Sequence, residues 1–307
     1  MSTPERIRAR IRRELYPFDS RFYDLGGLRM HYIDEGRGAP IVCVHGNPTW
    51  SFFYRDVIRT LSDRRRVIAP DHIGCGLSDK PGDAEYDYCL RRRIDDLESL
   101  LDHLALNENV TLVLHDWGGM IGMGVAVRRP QRIARLVILN TAAFRLPAGK
   151  PLPWRLRLIR DGGPLATLAV RGLNLFAWPA TFMAAARPLP ADVRAGYLAP
   201  YDSWASRIAT LRFVQDIPIR PSDRSFDEMA SVEARLTLLA GVPMLICWGL
   251  RDFVFDAHFL NEWRRRFPAA EVREFPDAGH YVIEDAGDRV LPVIRDFVIP
   301  AGERARG

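Results

Sequence analysis

A doubly wound, mostly parallel α/β sheet carrying an inserted helical cap is the fold class that this sequence predicts, and three observations carry that prediction. Short apolar runs rich in β-branched residues alternate with stretches of helical spacing between 41 and 139, as strands joined by crossover helices require. One such run, 110–114, breaks into His115-Asp116-Trp117-Gly118-Gly119 and passes at once into helix-like sequence, 120–128. This reads as strand, sharp turn and helix, with Asp116 at the apex. The alternation then stops at about Thr141 and resumes after Leu239. Residues 1–140 and 240–307 are therefore expected to build the sheet-bearing core, and 141–239 the cap.

Composition narrows the function classes. The 307 residues are 48% hydrophobic and 26% charged, ordinary values for a well-cored globular chain. The apolar stretches are too short to span a bilayer and the first residues carry Arg in place of a signal-peptide core, so cytoplasm is the default expectation. Cys43, Cys75, Cys89 and Cys247 are scattered, with no C-x-x-C pair, which supports neither a disulfide framework nor a metal site. Cys43 and Cys247 sit in apolar runs and read as small core residues. The net charge of +5 is spread along the chain without a nucleic-acid motif, so no nucleic-acid partner is expected. More localised is the start, where Arg6, Arg8, Arg10, Arg12 and Arg13 surround Ile7, Ile11 and Leu15. Such a basic amphipathic helix suits peripheral contact with an anionic membrane, although lying on its own domain is the plainer reading.

In chain order, 22–25 and 28–33 flank Gly26-Gly27 and predict a β-hairpin. The continuous apolar run 41–44 predicts a strand buried on both faces, delivering the turn His45-Gly46-Asn47-Pro48. A turn in that place can supply a backbone N–H to developing negative charge, and His45 is read as its brace. Helical spacing marks 52–61, and a strand 66–70 leads into the turn-rich stretch 71–81, a candidate functional loop. Ile94, Leu97, Leu101 and Leu104 form one stripe of a helix over 90–104. After the elbow strand and its helix, 136–139 is the next strand. The cap region is rich in Arg, Pro, Ala and aromatics, and its apolar faces either roof a site or serve as a core of their own. Strands over 243–248 and 271–275 then end in Gly249-Leu250-Arg251-Asp252 and Asp277-Ala278-Gly279-His280-Tyr281.

The residue at the apex carries the chemistry. A hydroxyl attacking saturated carbon would leave an ether, whereas a carboxylate leaves an ester that water or elimination can resolve. Asp116 at such a turn points to displacement at an sp3 carbon, and the plainer alternative is that it only caps the following helix. The late Asp252 and later His280 supply the acid and the base of a triad in the order nucleophile, acid, base. Asp256 and Glu284 are the fallback acids.

Together, His45-Gly46-Asn47-Pro48, His115-Asp116-Trp117-Gly118-Gly119, Trp248-Gly249-Leu250-Arg251-Asp252 and Gly279-His280 resemble the haloalkane dehalogenase branch of the α/β-hydrolases. That resemblance implies attack by Asp116, activation by His280 oriented by Asp252, and a leaving group held by Asn47 and Trp117, both hydrogen-bond donors. Further segments, 70–74, 120–123, 139–144 and 211–218, are similar to the β-lactone decarboxylases of bacterial long-chain olefin biosynthesis. This implies cofactor-free decarboxylation of a long-chain cis-β-lactone to a cis-olefin and carbon dioxide. A small apolar substrate would occupy the site, and other enzymes of that pathway are candidate partners. Haloalkane hydrolysis is the alternative, and epoxide hydrolysis a further one, for which Tyr197 and Tyr201 are available but Asn47 is unsuited.

Overall fold

The computed structural model describes residues 3–300. Its single sheet has the strand order β1-β2-β4-β3-β5-β6-β7-β8, from β1 (Arg21–Asp24), β2 (Arg29–Glu35), β3 (Pro40–Val44), β4 (Arg66–Pro70), β5 (Val110–Asp116), β6 (Ile133–Thr141), β7 (Met244–Gly249) and β8 (Glu271–Phe275). The pairs β1-β2 and β2-β4 are antiparallel, and every other neighbouring pair is parallel. The core helices before the cap are α1 (Thr3–Arg8), α2 (Arg55–Leu61), α3 (Leu90–His103) and α4 (Trp117–Arg128). Between β6 and β7 lie α5 (Trp154–Asp161), α6 (Gly163–Thr167), a π-helical turn (Leu168–Gly172), α7 (Ala177–Met183), α8 (Ala191–Leu198), α9 (Ile208–Gln215) and α10 (Phe226–Arg235). The chain closes with α11 (Ala257–Arg266) and α12 (Val282–Val298).

Strand alternation divides the core. Val42, Val44, Leu112, Leu114 and Ile138 point to one face, under α3 and α4; Ile41, Cys43, Val113, Val137 and Leu139 point to the other, under α2 and α12. Each of these Val, Leu and Ile side chains, fully buried, contributes about 1.5–3 kcal/mol relative to exposure. All of β5 is buried, so its C-terminal end is held rigidly where the elbow leaves the sheet. The last cap helix, α10, carries Met229 and Val232 into the cluster around α3 and α4.

Two elements differ from expectation for physical reasons, and the N-terminal segment follows the plainer reading. The elbow is tighter than the sequence suggests: β5 runs through Asp116 and α4 begins at Trp117, because Asp116 alone reverses the chain at a positive φ of 53°. Helix α12 lies beyond the elements read from the sequence; a kink at Ala286 divides it, and Val282, Val290 and Ile294 bury one face. At the start, Ile7 and Ile11 are buried with Tyr16 and Phe18 against the domain itself, while Arg8 donates to Ser20 and to the Phe18 carbonyl. The apolar face of that segment is thus taken by its own fold. No described helix is long and apolar enough to cross a membrane.

Candidate active site

Close backbone approach creates the elbow. A Cβ at Gly118 would stand 1.9 Å from the Val44 carbonyl oxygen, and one at Gly46 would stand 2.0 Å from Asp116 Oδ1, so neither position tolerates a side chain. Asp116 Oδ1 accepts the Asn47 backbone N–H at 2.6 Å, and the Trp117 N–H also supports the carboxylate. The turn after β3 therefore holds the candidate nucleophile itself. The other oxygen, Oδ2, faces His280 Nε2 at 3.7 Å. Burial lifts the Asp116 carboxyl above its ordinary range, opposed by His280 and the two backbone donors.

His280 is fixed from two sides. Its Nδ1–H donates to Asp252 Oδ2 at 2.8 Å, and its carbonyl accepts from His115 Nε2 at 2.9 Å. Burial works against the imidazolium, but the Asp252 and Asp116 carboxylates outweigh it and raise the His280 pKa. Asp252 is held in turn: Oδ1 accepts the N–H groups of Val254 and Phe255, and Oδ2 accepts Asn140 Nδ2 at 3.1 Å. Asn140 also exchanges two hydrogen bonds with the Gly249 backbone, tying the ends of β6 and β7 together. Asn140 and His115 were not singled out from the sequence; the positions beside the elbow and at a strand end are the only local hints they offer.

Asn47 and Trp117 lie beside Asp116 on the cavity wall. One Asn47 amide N–H is committed to the Thr210 carbonyl on α9 at 3.0 Å, which leaves the other for a ligand. The Trp117 indole N–H has no acceptor among the described residues, and the ring packs on Phe213 of α9 at 5.4 Å between centroids. Behind both rings lies Arg93, fully buried, with its guanidinium 3.8 Å from the Phe213 centroid and 5.6 Å from Trp117. Asp216, at the end of α9, pairs with Arg93 at 3.0 Å and accepts the Ser225 hydroxyl. One cap helix thus positions both candidate leaving-group donors.

The cavity above Asp116 has a volume of about 230 Å³ and is walled mainly by apolar side chains, among them Met120, Phe144, Leu156, Ile159 and Val214. Such walls exclude water and strengthen the few polar interactions inside. His45 braces its turn through Nε2, which accepts the His72 N–H, and through Nδ1, which donates to the Gly46 carbonyl. The 71–81 stretch is a brace too, since Asp71 ties His31, Ser51 and Leu77 together. The fallback acids serve elsewhere: Asp256 caps α11 and pairs with Lys150, and Glu284 pairs with Arg55. Tyr197 donates to Glu284 and Tyr201 to the Thr49 carbonyl, and neither lines the cavity. The epoxide reading thereby loses the two tyrosines it relied on.

Comparison with known proteins agrees with this geometry. The α/β hydrolase fold family matches residues 39–287. A cis-3-alkyl-4-alkyloxetan-2-one decarboxylase of Shewanella oneidensis is 55% identical over 92% of this chain and 89% of its own length. A protein of the same name from Xanthomonas campestris is 47% identical over 89% of this chain and 93% of its own. Among solved structures, the haloalkane dehalogenase DatA of Agrobacterium tumefaciens superposes with a TM-score of 0.81 at 26% identity, covering 91% of this chain and 96% of that one. The chain is accordingly a member of the α/β-hydrolase fold family, on the branch that holds oxetanone decarboxylases and haloalkane dehalogenases.

Proposed function

We propose that this protein decarboxylates a cis-3,4-dialkyl β-lactone (2-oxetanone) to a cis-olefin and carbon dioxide, with Asp116 as nucleophile. The observation that carries the choice of substrate is the 55% identity to the Shewanella decarboxylase along nearly the whole chain, against 34% and 39% for haloalkane dehalogenases of Mycobacterium tuberculosis and Mycobacterium marinum over similar spans.

In the first step Asp116 Oδ2 attacks the alkyl carbon that bears the ring oxygen. The ring C–O bond breaks, its electron pair leaves on oxygen, and the resulting carboxylate is received by the Asn47 and Trp117 N–H groups. In the second step the bond to that carboxyl carbon breaks and its pair forms the double bond. The C–Oδ2 bond breaks at the same time and its pair returns to Asp116. Atoms balance without water or cofactor. Negative charge ends on Oδ2, beside His280, whose raised pKa favours the imidazolium that stabilises a departing carboxylate. Hydrolytic dehalogenation would instead need neutral His280 to take a proton from water.

Inversion at the alkyl carbon followed by anti elimination is a net syn loss, so a cis-lactone gives a cis-olefin. Each methylene entering the apolar cavity contributes about 0.8 kcal/mol, so affinity rises with alkyl length until the cavity is full. Gas chromatography of products from cis-β-lactones and haloalkanes of matched lengths tests the reading. Cis-olefin from the lactones supports it; trans-olefin, or halide release faster than olefin formation at every length, rejects it.

A further inference from the structure

We infer that the outer face of α5 to α7 is a docking surface for an anionic lipid bilayer, so that the cavity mouth opens into the membrane. The inference rests on the lactone reading only for what passes through that mouth. Nine of the thirteen exposed large hydrophobic side chains among the described residues fall within 154–183. They are not marginal: Leu165 is 80% exposed, Trp154 and Leu173 66%, and Leu158 62%. Exposed apolar side chains concentrated in this way on successive helices mark an interaction site.

Two observations select lipid as the occupant. The first is charge. Residues 154–183 hold four cations and a single carboxylate, Asp161, which is itself paired with Arg160, and Arg160 also meets Asp223. Arg155 and Arg194 make no salt bridge among the described residues, Arg171 feels Asp83 only at longer range, and each of the three lies over an exposed aromatic ring, Trp154, Phe182 and Trp204 respectively. Tryptophan and arginine rimming an apolar face suit the headgroup level of an anionic membrane. The second is continuity with the site. Leu175 and Met183 are exposed and also line the cavity above Asp116, so the mouth lies within the apolar face. Reactant and product, both long apolar chains, would then enter and leave without crossing water. The N-terminal segment offers no such face, because Ile7 and Ile11 are buried on the domain.

The test is flotation of the full-length protein with vesicles of phosphatidylglycerol and phosphatidylethanolamine, and with phosphatidylcholine alone. The wild type floats with the anionic vesicles and less with the neutral ones. The triple variant Leu158→Gln, Leu165→Gln, Leu173→Gln reduces the bound fraction by about tenfold or more, since binding scales with the apolar area inserted. Arg171→Gln with Arg194→Gln removes the preference for anionic lipid. All variants keep wild-type turnover of a short, detergent-dispersed lactone, which reports that the fold and site are intact. Absence of flotation, or flotation unchanged in the triple variant, overturns the inference. So does a wild-type dimer that ignores vesicles and becomes monomeric in the triple variant, which would assign the face to a second copy. Flotation that persists in a protein unable to turn over any lactone leaves the docking surface standing and rejects the substrate instead.

Discussion

Replacing Trp117 by Phe isolates one hydrogen bond in the proposed leaving-group cradle. The indole N–H has no protein acceptor among the described residues, so its loss strands no buried partner, and the ring contacts to Phe213 and Arg93 can persist. What disappears is one donor to a developing carboxylate in a water-excluding cavity, worth about 2.7–4 kcal/mol, or roughly 10²–10³-fold in kcat. Asn47→Ala removes a comparable donor but also the hydrogen bond to the Thr210 carbonyl that ties the turn to α9, a bond worth about 0.5–1.5 kcal/mol of stability. The two variants therefore separate: both lose catalysis, and only Asn47→Ala lowers the denaturation midpoint. Olefin formation from a cis-β-lactone under single-turnover conditions, beside urea unfolding, reads both quantities. A loss below threefold in both variants would mean that the carboxylate is held elsewhere, and the cradle assignment would fall.

Other outcomes follow from the same geometry. Asp116→Ala should abolish turnover while retaining the native circular dichroism spectrum; near-normal activity would refute the nucleophile assignment. The rate should fall on the alkaline side as His280 loses its proton, at a pH above the ordinary histidine value, and on the acid side as Asp116 protonates, above the ordinary carboxylate range. A rate that rises with pH through the His280 transition would favour a neutral general base and hence hydrolysis. The His280 contribution to stability has the matching sign: with a folded pKa raised above the unfolded one, it is fully present below about pH 6.5 and lost as pH rises through the folded pKa, so the stability gap between wild type and His280→Asn should narrow in alkali. Arg93→Met should cost about 3–5 kcal/mol by stranding buried Asp216, and Arg93→Met with Asp216→Leu should recover most of it; equal destabilisation in denaturant titrations would show that the ion pair is not the cause. Turnover in ¹⁸O-water should leave Asp116 unlabelled when the ester resolves by elimination, and label incorporated there would indicate hydrolysis.

The sequence is most legible where a local rule acts. Asp116 at the end of an apolar strand, followed by paired glycines, announces the elbow because only small residues let α4 pass the Val44 carbonyl. Chain order then points to Asp252 and His280, and the structure brings both to the elbow. What escapes is non-local. Asn140 acts through a strand end 112 residues away in sequence, and Arg93 meets Asp216 across 123. Nothing near Arg93 distinguishes it from the surface arginines of the same helix, Arg91 and Arg92. Asn47 was legible as a donor, but not that α9 claims one of its two N–H groups. Helix α12 carries Gly287 and Pro292, residues that weaken a local helical signal, and what holds it is the burial of Val282, Val290 and Ile294 against the sheet.

The central claim is covalent attack by Asp116 on the alkyl carbon, and it is tested most directly by trapping the ester. In His280→Asn the second step loses the imidazolium beside Oδ2 and should slow more than the first. Peptide mass mapping of that variant, quenched within one turnover of a cis-β-lactone, should find the peptide bearing Asp116 heavier by the whole mass of the lactone. Asp252→Asn should show the same adduct to a smaller extent. An unmodified Asp116 peptide in a sample that has already released olefin would contradict the account.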